Sequence, residues 1–431
     1  MTGPHAELHE RHRRVMPSWL GLYYAEPIEL VRGEGRHVWD AEGNRYLDFF
    51  GGILTTMTGY AVPEIVEAIR EQASRMIHTS TLYLIRPMVE LAERIAALLP
   101  IPDAKVFFTN SGTEANDAAL MMATTHRRSR QVFALRGSYH GRSHSALAVT
   151  GHRSWAATEN SPFVVHFLQS PQSIRAAHGF VGDGQVIDGV VADLRNLFDT
   201  AVRGDVACLI AEPIQGVGGF VPLPDGLLGA LEKELEPHGV LLVADEVQTG
   251  WGRTGRHFWG FQAHGVTPDL VTFAKGLGNG LAIAGVAGRA ELIDSIRAVS
   301  VSTFGGNPLS SAGALANLDY LLSHDCQANA LARGGELRAG LEQIGSRHAA
   351  VLEVRGEGLM QGVELVRADG APDPAGTSAV LEAARRLGLL VGKGGLYDNA
   401  LRIAPPLTVT AIEIEEGLGM LGAAFDDALG R

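Results

Sequence analysis

Short apolar runs alternate with longer segments of helical spacing through the middle of this chain, and this alternation is its most restrictive feature. Residues 64–76, 87–99 and 113–127 have the spacing of amphipathic helices. The apolar runs are residues 105–108, 131–135, 207–210, 240–244 and 270–273. Runs of this kind are typical of parallel strands that are buried on both faces. Helices between such strands predict a doubly wound α/β domain with a mostly parallel sheet.

The pattern changes near both ends of the chain, which indicates a second domain. After about residue 310 it contains long helices, a strand–turn–strand near residues 352–365 and a closing helix after Thr410. The turn Glu42-Gly43-Asn44 predicts a small hairpin near the N-terminus. A length of 431 residues fits two or three domains. The predicted limits are residues 56–310 for a large α/β domain, and residues 1–55 with 311–431 for a smaller α+β domain.

The charge, cysteine and histidine content restricts the partners. A net charge of -12 disfavours nucleic acid and anionic membranes as partners. No apolar run approaches the ~18 residues of a membrane helix, and the N-terminus has no apolar stretch of the signal-peptide type. Cys208 and Cys326 lack a CxxC pattern, which predicts reduced thiols in a cytoplasmic protein. His140 and His144 have metal-like spacing without a third ligand, so no metal site is predicted. Residues 168–192 lack periodicity and are expected to form a surface loop.

Two charged side chains stand where neighbouring strands are expected to end. Asp245 follows one apolar run, and Lys275 follows the next and is itself followed by Gly276. Ligands of open α/β sheets bind at the carboxyl ends of the strands. A lysine there, with glycine beside it, can form a Schiff base with a bulky cofactor. A carboxylate keeps a pyridine nitrogen protonated, as pyridoxal 5'-phosphate (PLP) requires. Either residue alone is equally well explained as a surface charge, whereas the pair predicts a PLP site.

The segment at residues 110–116 follows an apolar run and opens a helix. The free N–H groups and the positive dipole end of a helix N-terminus suit a phosphate. Gly112 lets the backbone approach closely, and Thr113 adds a hydroxyl. An ordinary capping pair of Ser111 and Glu114 explains the same residues, and one turn can serve both purposes. Together with the lysine and the aspartate, the segment predicts a phosphate site.

Six motifs, in this order, resemble those of the class III (ω-amino acid) aminotransferases of PLP fold type I. They are NSGTEAN at residues 110–116, YHGR at 139–142, AEPIQG at 211–216, ADEVQTG at 244–250, AKG at 274–276 and STFGGNP at 302–308. The resemblance runs from about Leu22 to the C-terminus and is closest to the alanine–glyoxylate aminotransferase 2 and 4-aminobutyrate aminotransferase branches. It implies PLP as cofactor, a large PLP-binding domain with a smaller α+β domain, and ping-pong transfer of an amino group to a 2-oxo acid.

The resemblance also implies a role for each cofactor residue. Lys275 would carry PLP as a Schiff base and act as the general base once freed, and Asp245 would pair with the pyridinium nitrogen. Tyr139 and Val247 would hold the two faces of the ring, and Gln248 would reach the ring hydroxyl. The other cofactor-binding residues expected are Ser111, Gly112, Thr113, His140, Glu212 and, on the cofactor of the other subunit, Thr303. This last contact requires a homodimer, or a dimer of dimers, with active sites at the subunit interface.

The substrate residues follow from the same resemblance. Arg402 matches the arginine that binds an α-carboxylate through two parallel hydrogen bonds. Glu212 matches the acid that pairs with this arginine when no α-carboxylate is present. Arg142 matches an arginine that grips a distal carboxylate in the 4-aminobutyrate and ornithine branches, although a surface salt bridge explains it equally well. Ile53 matches a position in the pocket wall. The Gly-His-x-His-Pro segment that is usual in the family is replaced here by residues 59–63, Gly-Tyr-Ala-Val-Pro.

Other activities stay open at this point. A racemase or epimerase and a decarboxylase use the same fold, because the bond held perpendicular to the ring decides the reaction. A phospho-lyase branch tends to replace the Glu-Pro-Ile-Gln segment, which this chain keeps at residues 212–215. A non-catalytic PLP-binding regulator usually has a DNA-binding domain, for which no room is expected before Tyr23. The donor is open among 4-aminobutyrate, β-alanine, alanine, a diamine and a specialised pathway intermediate, since one methylene changes discrimination by only ~1–3 kcal/mol. The acceptor is open among pyruvate, glyoxylate and 2-oxoglutarate.

Overall fold

A computed structural model of the chain describes residues 4–180 and 182–430. Its strands are β1 Leu30–Glu34, β2 His37–Asp40, β3 Arg45–Asp48, β4 Lys105–Thr109, β5 Gln131–Leu135, β6 Val164–Leu168, β7 Cys208–Ala211, β8 Ile214–Gln215, β9 Val221–Pro222, β10 Leu241–Asp245, β11 Leu270–Phe273, β12 Ala284–Gly288, β13 Val351–Glu357, β14 Met360–Leu365, β15 Leu389–Leu390, β16 Gly392–Gly394 and β17 Ala400–Ile403.

The helices alternate with these strands through the middle of the chain. They are α1 Pro4–Val15, α2 Gly51–Leu54, α3 Pro63–Arg75, α4 Arg86–Ala97, α5 Gly112–Arg127, α6 His144–Ala148, α7 Pro171–His178, α8 Asp183–Thr200, α9 Leu227–Leu235, α10 Ala290–Ile293, α11 Pro308–Ser323, α12 Cys326–Gly345, α13 Pro374–Arg386 and α14 Ala411–Leu429. Short 3₁₀ turns lie at Glu236–His238, Gly260–His264 and Lys275–Leu277. Within the described parts of the chain, none of the helices has both the length and the apolar character needed to cross a membrane.

A seven-stranded sheet in the order β4-β12-β11-β10-β7-β5-β6 forms the centre of the molecule. Its neighbouring strands pair in parallel, except that β12 runs antiparallel to both β11 and β4. In β10, Leu241 and Val243 lie in one apolar core, and Leu242 and Ala244 lie in another. Successive side chains of a strand point to opposite faces, so both faces of this sheet are buried. The prediction of a doubly wound, mostly parallel sheet is confirmed.

The N-terminal hairpin joins the C-terminal part of the chain through a parallel strand pair. The second sheet has the order β1-β2-β3-β15, in which Leu389 pairs with Leu47. A third sheet, β13-β14-β17-β16, is antiparallel throughout. The closing helix α14 begins with a capping box between Thr410 and Glu413. The domain limits given above stay a prediction.

The expectation of a surface loop over residues 168–192 was wrong, because α7 and the start of α8 lie there. The side chain of Ser170 caps α7, and Gly179 ends it in a left-handed conformation with φ 66°. Helix α8 buries Val186 and Val190, which are four residues apart and share one face. Both caps were visible in the sequence. The apolar residues of α8 that lie within the segment, however, cover only about two helical turns, which is too few to establish a helical period from the sequence of the segment alone.

The loops after β4, β5, β7, β10 and β11 share one edge of the central sheet, because these five strands run parallel. They bring together the residues that the sequence singled out. The start of α5 follows β4, Tyr139 follows β5, and Glu212 follows β7 directly. Asp245 is the last residue of β10, and Lys275 stands two residues after the end of β11. This carboxyl edge is where ligands of open α/β sheets bind.

Candidate active site

Asp245 is a buried carboxylate at the carboxyl edge and is held by three hydrogen bonds. It is only 3% exposed. Its Oδ2 accepts hydrogen bonds from Asn116 Nδ2 at 2.8 Å and from His140 Nδ1 at 2.7 Å, and its Oδ1 accepts the backbone N–H of Val247 at 3.1 Å. Because a carboxylate can only accept, Nδ1 of His140 is the donor in this hydrogen bond. The buried Nε2 of His140 has no hydrogen-bond partner among the described residues.

Asn116 ties this carboxylate to two neighbouring elements. Its Nδ2 also donates to the carbonyl oxygen of His140 at 2.7 Å, and its Oδ1 accepts the hydroxyl of Thr272 in β11 at 2.7 Å. Helix α5, the end of β10 and strand β11 are therefore cross-linked through one buried amide. No role was predicted for Asn116 beyond its place in the motif at residues 110–116. Its spacing of four residues from Gly112, on the same helix face, was the available signal.

Lys275 lies in the first turn after β11 and has a left-handed φ of 43°. Its side chain forms no hydrogen bond or ion pair with the described residues. Burial lowers the pKa of Lys275 to about 8, Asp245 and Glu212 act in the opposite direction, and Arg402 lowers it further. A lysine with a depressed pKa supplies the neutral amine that attacks a carbonyl carbon.

A cavity of about 190 Å³ opens between these groups. Its lining consists of Gly112, Thr113, Asn116, Tyr139, His140, Gly141, Glu212, Asp245, Val247, Gln248 and Lys275. A side chain at Gly112 would come within 3.0 Å of Val247, so glycine keeps this wall open. The buried Oε1 of Gln248 has no hydrogen-bond partner among the described residues. An unpartnered polar atom of this kind indicates space for a polar ligand.

The start of α5 provides the phosphate end of the cavity. Ser111 Oγ accepts the N–H of Glu114 at 3.3 Å, and the Glu114 carboxylate accepts the N–H groups of Ser111 at 3.1 Å and Asn110 at 2.7 Å. This capping box leaves the amides of Gly112 and Thr113, which have no partner within an α-helix. Thr113 Oγ1 accepts the N–H of Arg142 at 3.3 Å. Both explanations of this turn therefore hold, with Ser111 as the cap and the next two amides available for a phosphate.

Glu212 and Tyr139 form the opposite side of the cavity. Glu212 Oε1 accepts the N–H of Tyr139 at 2.8 Å, and Oε2 accepts the N–H of Gly216 at 2.9 Å. Burial raises the pKa of Glu212 to about 7, and the neighbouring His140 opposes this rise. The ring of Tyr139 meets the edge of Trp155 with centroids 5.2 Å apart. Tyr139 thus has one neighbour that restricts its tilt, which suits a ring that stacks on a cofactor.

Arg402 lies behind this side of the cavity and is 2% exposed. Its Nε donates to the carbonyl of Lys393 at 3.0 Å, Nη1 to the carbonyl of Gly216 at 3.4 Å, and Nη2 to the hydroxyl of Tyr23 at 3.2 Å. It forms no ion pair with Glu212 in this structure. Gly216 connects the two groups, because its N–H binds the acid and its carbonyl binds the arginine.

Five of the predicted site residues do not line the cavity: Ser111 and Arg402, whose contacts are described above, and Arg142, Ile53 and Thr303. Arg142 is exposed, with its guanidinium 5.4 Å from the ring centre of Trp19. Ile53 is 47% exposed and lies in α2, where it has a left-handed φ of 67°, which is rare for a β-branched residue. Thr303 is exposed in the segment before α11. Their predicted roles stay predictions.

The cavity has the parts that PLP requires. It offers an amine of lowered pKa, a buried carboxylate for a pyridinium nitrogen, two helix-start amides for a phosphate, and polar atoms of Gln248 and His140 without partners. When bound, PLP supplies an electron sink that stabilises the carbanion formed on a substrate carbon. The fold and the site together define a PLP enzyme.

Comparison with known proteins gives the family. The family model described as Aminotransferase class-III matches residues 23–425, and the chain belongs to this family of PLP-dependent transaminases. The chain is 39% identical over 416 residues to the mitochondrial alanine–glyoxylate aminotransferase 2 homolog 2 of Arabidopsis thaliana, covering 95% of this chain and 85% of that protein. It is also 35% identical over 436 residues to the alanine/serine racemase of Pyrococcus horikoshii, covering 99% and 92%.

A solved structure agrees with this assignment. The (S)-enantioselective omega-transaminase from Thermomicrobium roseum superposes with a TM-score of 0.91 and 35% identity, and both chains are covered in full. The predictions of fold type I, of PLP as cofactor and of a class III aminotransferase are confirmed.

Proposed function

We propose that this aminotransferase takes its amino group from an amino acid, of the alanine type or an ω-amino acid, and passes it to pyruvate, glyoxylate or 2-oxoglutarate. The observation that carries the proposal is the buried guanidinium of Arg402, which has no carboxylate partner among the described residues. Arg402 is near enough to Lys275 to lower its pKa. A buried charge without a counter-ion favours the binding of an anion, and every 2-oxo acid supplies a carboxylate.

In this proposal Lys275 binds the cofactor and transfers the proton, and the other residues of the cavity hold the cofactor in place. Lys275 Nζ binds the cofactor and, once freed, takes the proton from the donor carbon that carries the nitrogen. Its pKa of about 8 keeps a useful fraction of neutral amine near pH 7. Asp245 Oδ1, which accepts only one backbone N–H, would receive the ring nitrogen. His140 and Asn116 orient this carboxylate through its other oxygen.

The remaining cofactor contacts are assigned by position. The amides of Gly112 and Thr113 would bind the phosphate, and Gln248 would reach the ring hydroxyl. Tyr139 and Val247 line the cavity and would cover the two faces of the ring. The other predicted cofactor residues have supporting roles in the proposal: Ser111 caps α5, Glu212 binds the N–H of Tyr139, and His140 holds Asp245.

Racemisation is the second candidate, because the chain resembles a racemase almost as strongly as it resembles transaminases. One experiment separates the two. The cofactor-loaded protein is mixed with L-alanine in the absence of a 2-oxo acid. Transamination releases about one pyruvate per site and removes the visible absorbance of the lysine-bound cofactor, and an added 2-oxo acid restores it. Racemisation accumulates D-alanine over many turnovers and leaves the absorbance in place.

The same experiment with 4-aminobutyrate and β-alanine ranks the donors, and pyruvate, glyoxylate and 2-oxoglutarate are compared in the return reaction. Loss of the cofactor absorbance with at least one donor, followed by its recovery, supports the proposal. Accumulation of D-alanine, release of CO₂, or no response to any amine would contradict it. The Lys275→Ala protein serves as the negative control.

We further propose a homodimer with the phosphate end of the cavity near the interface. Large apolar side chains are exposed in two segments, residues 76–84 and 299–304, including Leu84 at 98% and Val299 at 93%. The segments meet where the rings of His78 and Phe304 lie 5.0 Å apart. Ser302 accepts a hydrogen bond from Asn110, next to the start of α5. Exposed apolar patches of this kind mark protein interfaces.

Light scattering after size-exclusion chromatography tests this interface. The unmodified protein is expected to have twice the mass of one chain, or four times for a dimer of dimers. Leu84→Asp is expected to shift the protein towards the monomer and to weaken PLP retention, whereas Leu387→Asp, at another exposed apolar site, leaves both unchanged. A monomeric unmodified protein that retains PLP would contradict the proposal.

A cytoplasmic location also stays a prediction. It is supported by two free, buried cysteines, Cys208 and Cys326. Fractionation of the producing cell would test it.

A further inference from the structure

The surroundings of Arg402 differ from those expected for an arginine that pairs with the substrate carboxylate when it is present and with Glu212 when it is absent. All three of its hydrogen-bond partners are neutral oxygen atoms, two from backbone carbonyls and one from the hydroxyl of Tyr23. Its guanidinium carbon is 5.0 Å from the ring centre of Phe50 and 5.6 Å from that of Phe220. The aromatic rings and the neutral acceptors restrict the position of the guanidinium and leave its charge uncompensated.

The expected acidic partner is engaged elsewhere. Each carboxylate oxygen of Glu212 accepts a backbone N–H, one from Tyr139 and one from Gly216. If Glu212 turned towards Arg402, both buried amides would lose their acceptor, and an unsatisfied buried donor is costly. The raised pKa of Glu212, to about 7, further reduces its negative charge near neutral pH. Glu212 is therefore a poor counter-ion for Arg402 in this chain.

Tyr23 is the only side chain that bonds to the guanidinium among the described residues. It comes from the segment before β1, and its ring packs 5.7 Å from that of Phe50. Its hydroxyl accepts from Arg402 Nη2 at 3.2 Å and donates to the carbonyl of Lys393 at 3.5 Å, the same carbonyl that accepts from Arg402 Nε. The hydroxyl, the carbonyl and the guanidinium thus form a closed set of three contacts that fixes the guanidinium plane.

We propose that Tyr23 is a positioning residue that holds Arg402 ready for a substrate carboxylate, and that the N-terminal segment is therefore part of the substrate site. This inference rests on the proposed function and narrows it: substrates with a carboxylate next to the reacting carbon gain from the positioned guanidinium, whereas simple amines do not. A guanidinium fixed in one plane loses less freedom when it binds a carboxylate through two parallel bonds.

The test compares two donors that differ only in the carboxylate. L-Alanine and isopropylamine share the amine and a methyl group, and the second replaces the carboxylate with another methyl group. Tyr23→Phe removes the hydroxyl and keeps the ring contact with Phe50. Tyr24→Phe is the matched control, because Tyr24 contacts Arg385 and lies outside the substrate site. Half-reactions of the cofactor-loaded proteins are followed by absorbance.

We expect Tyr23→Phe to raise the half-saturating concentration of L-alanine about three- to tenfold, the range for the loss of one typical hydrogen bond, because the hydroxyl acts on the substrate only through Arg402. The limiting rate and the response to isopropylamine are expected to stay within about twofold, and Tyr24→Phe to change neither donor. Equal weakening of both donors, or a fall in the limiting rate alone, would assign Tyr23 a merely structural role. No change with L-alanine would overturn the inference.

A binding measurement separates this inference from the proposed function. Propionate has the carboxylate but no reacting amine, so its binding to the cofactor-loaded protein requires no turnover. Calorimetric titration is expected to give a dissociation constant about three- to tenfold higher for Tyr23→Phe than for Tyr24→Phe. If propionate binding depends on Tyr23 and no amine reacts, the positioning role stands and the aminotransferase substrate assignment fails. If transamination occurs and propionate binds all three proteins alike, the positioning role fails.

Discussion

Two groups of residues, the inner wall and the outer wall, are held in different ways. The inner wall is Asn116, His140, Asp245 and Thr272. The outer wall is Ile53, Arg142 and Thr303, which lie outside the cavity and whose substrate or cofactor roles are predictions, together with Trp19, which contacts Arg142. The inner residues are buried and joined by hydrogen bonds of 2.7 to 2.8 Å. The outer residues are exposed, and among the described residues the contact of Arg142 with Trp19 is the one between them that involves a charge.

This difference separates the chemistry of the enzyme from its choice of substrate. The inner wall stands on strands β10 and β11, on helix α5 and on the segment after β5, which belong to or adjoin a sheet that is buried on both faces, so its geometry is fixed by the core. The outer wall stands on the short helix α2, on loops and on the N-terminal segment, and loops can differ between proteins of one fold. A family can therefore share its cofactor chemistry and accept different donors. The predictions below test each wall, from the largest expected effect to the smallest.

Removing the amine of Lys275, which lies in the same cavity as Asp245, is expected to have the largest effect on activity. Lys275→Ala deletes the nucleophile that binds the cofactor and the base that moves the donor proton. We expect transamination to fall by at least ~10³-fold, within the range that general base catalysis contributes. Activity would be measured with the best donor of the panel at saturating PLP. Lys233→Ala, on the surface helix α9, is the control, and near-normal turnover by Lys275→Ala would show that another group carries the chemistry.

The next largest effect is expected for the carboxylate. Asp245→Asn keeps the size of the side chain and removes its charge, so a pyridine nitrogen is no longer held protonated. A loss of ~10²–10³-fold in kcat is expected, comparable to the loss of one preorganised electrostatic contact. Asp225→Asn, which removes an exposed ion pair with Arg256, is expected to change kcat by less than about twofold. Similar losses in both proteins would mean that Asp245 acts only through stability.

The depressed pKa of Lys275 predicts the pH dependence of cofactor uptake. Only the neutral amine attacks the aldehyde of PLP, and its fraction rises with pH until the pKa is passed. The uptake rate of the cofactor-free protein is therefore expected to rise about tenfold per pH unit below about 8 and to level off above it. An unburied lysine would continue to gain up to about pH 10.4. Stopped-flow absorbance between pH 6 and 10 makes the distinction, and a rise that continues past pH 9 would contradict the burial of this amine.

A smaller effect is expected for the amide network behind the carboxylate. Thr272→Val removes the hydroxyl that donates to Asn116 and leaves a buried amide oxygen without its partner. The expected loss of stability is ~1–3 kcal/mol, measured by urea unfolding of the cofactor-loaded protein. Thr200→Val removes an exposed hydroxyl that bonds to its own helix and should stay within ~0.5 kcal/mol of the unmodified protein. Equal stability of the two variants would indicate that Asn116 finds another donor.

Sequence and structure agree best where one local pattern decides the outcome. The apolar runs predicted β4, β5, β7, β10 and β11 within one or two residues, because strands buried on both faces require apolar side chains throughout, whereas β6 and β12 were not predicted. Asp245 and Lys275 could be located for the same reason, since each directly follows such a run. The antiparallel direction of β12 could not be predicted, because Gly285 and Gly288 resemble turn residues in sequence. In the structure they lie inside a buried strand that pairs with β11 and β4.

The partners of the site residues were harder to predict than the residues themselves. Glu212 and Arg402 were expected to pair because of the resemblance to the family, but each is bonded to backbone groups or to Tyr23. Tyr23 and Arg402 are separated by 379 positions along the chain, and no local pattern connects them. Contacts of this kind depend on how the N-terminal segment folds over the C-terminal strands, which a single sequence does not encode locally.

The smallest expected effect, and the one that decides most about the substrate, concerns Arg142. Arg142→Ala removes an exposed guanidinium that lies 5.4 Å from the ring centre of Trp19 and forms no hydrogen bond or ion pair with the described residues. If the donor has no distal carboxylate, turnover should change by less than about twofold, as for most exposed arginines. If 4-aminobutyrate is the donor or 2-oxoglutarate the acceptor, the loss of a contact between Arg142 and the distal carboxylate should raise KM for that substrate alone by about tenfold. Comparing pyruvate with 2-oxoglutarate in one preparation distinguishes the two cases. Equal changes in KM with both acceptors would mean that Arg142 acts by holding Trp19 and the N-terminal segment in place. The outer wall would then affect catalysis at the inner wall, although few contacts of its residues suggest such a link.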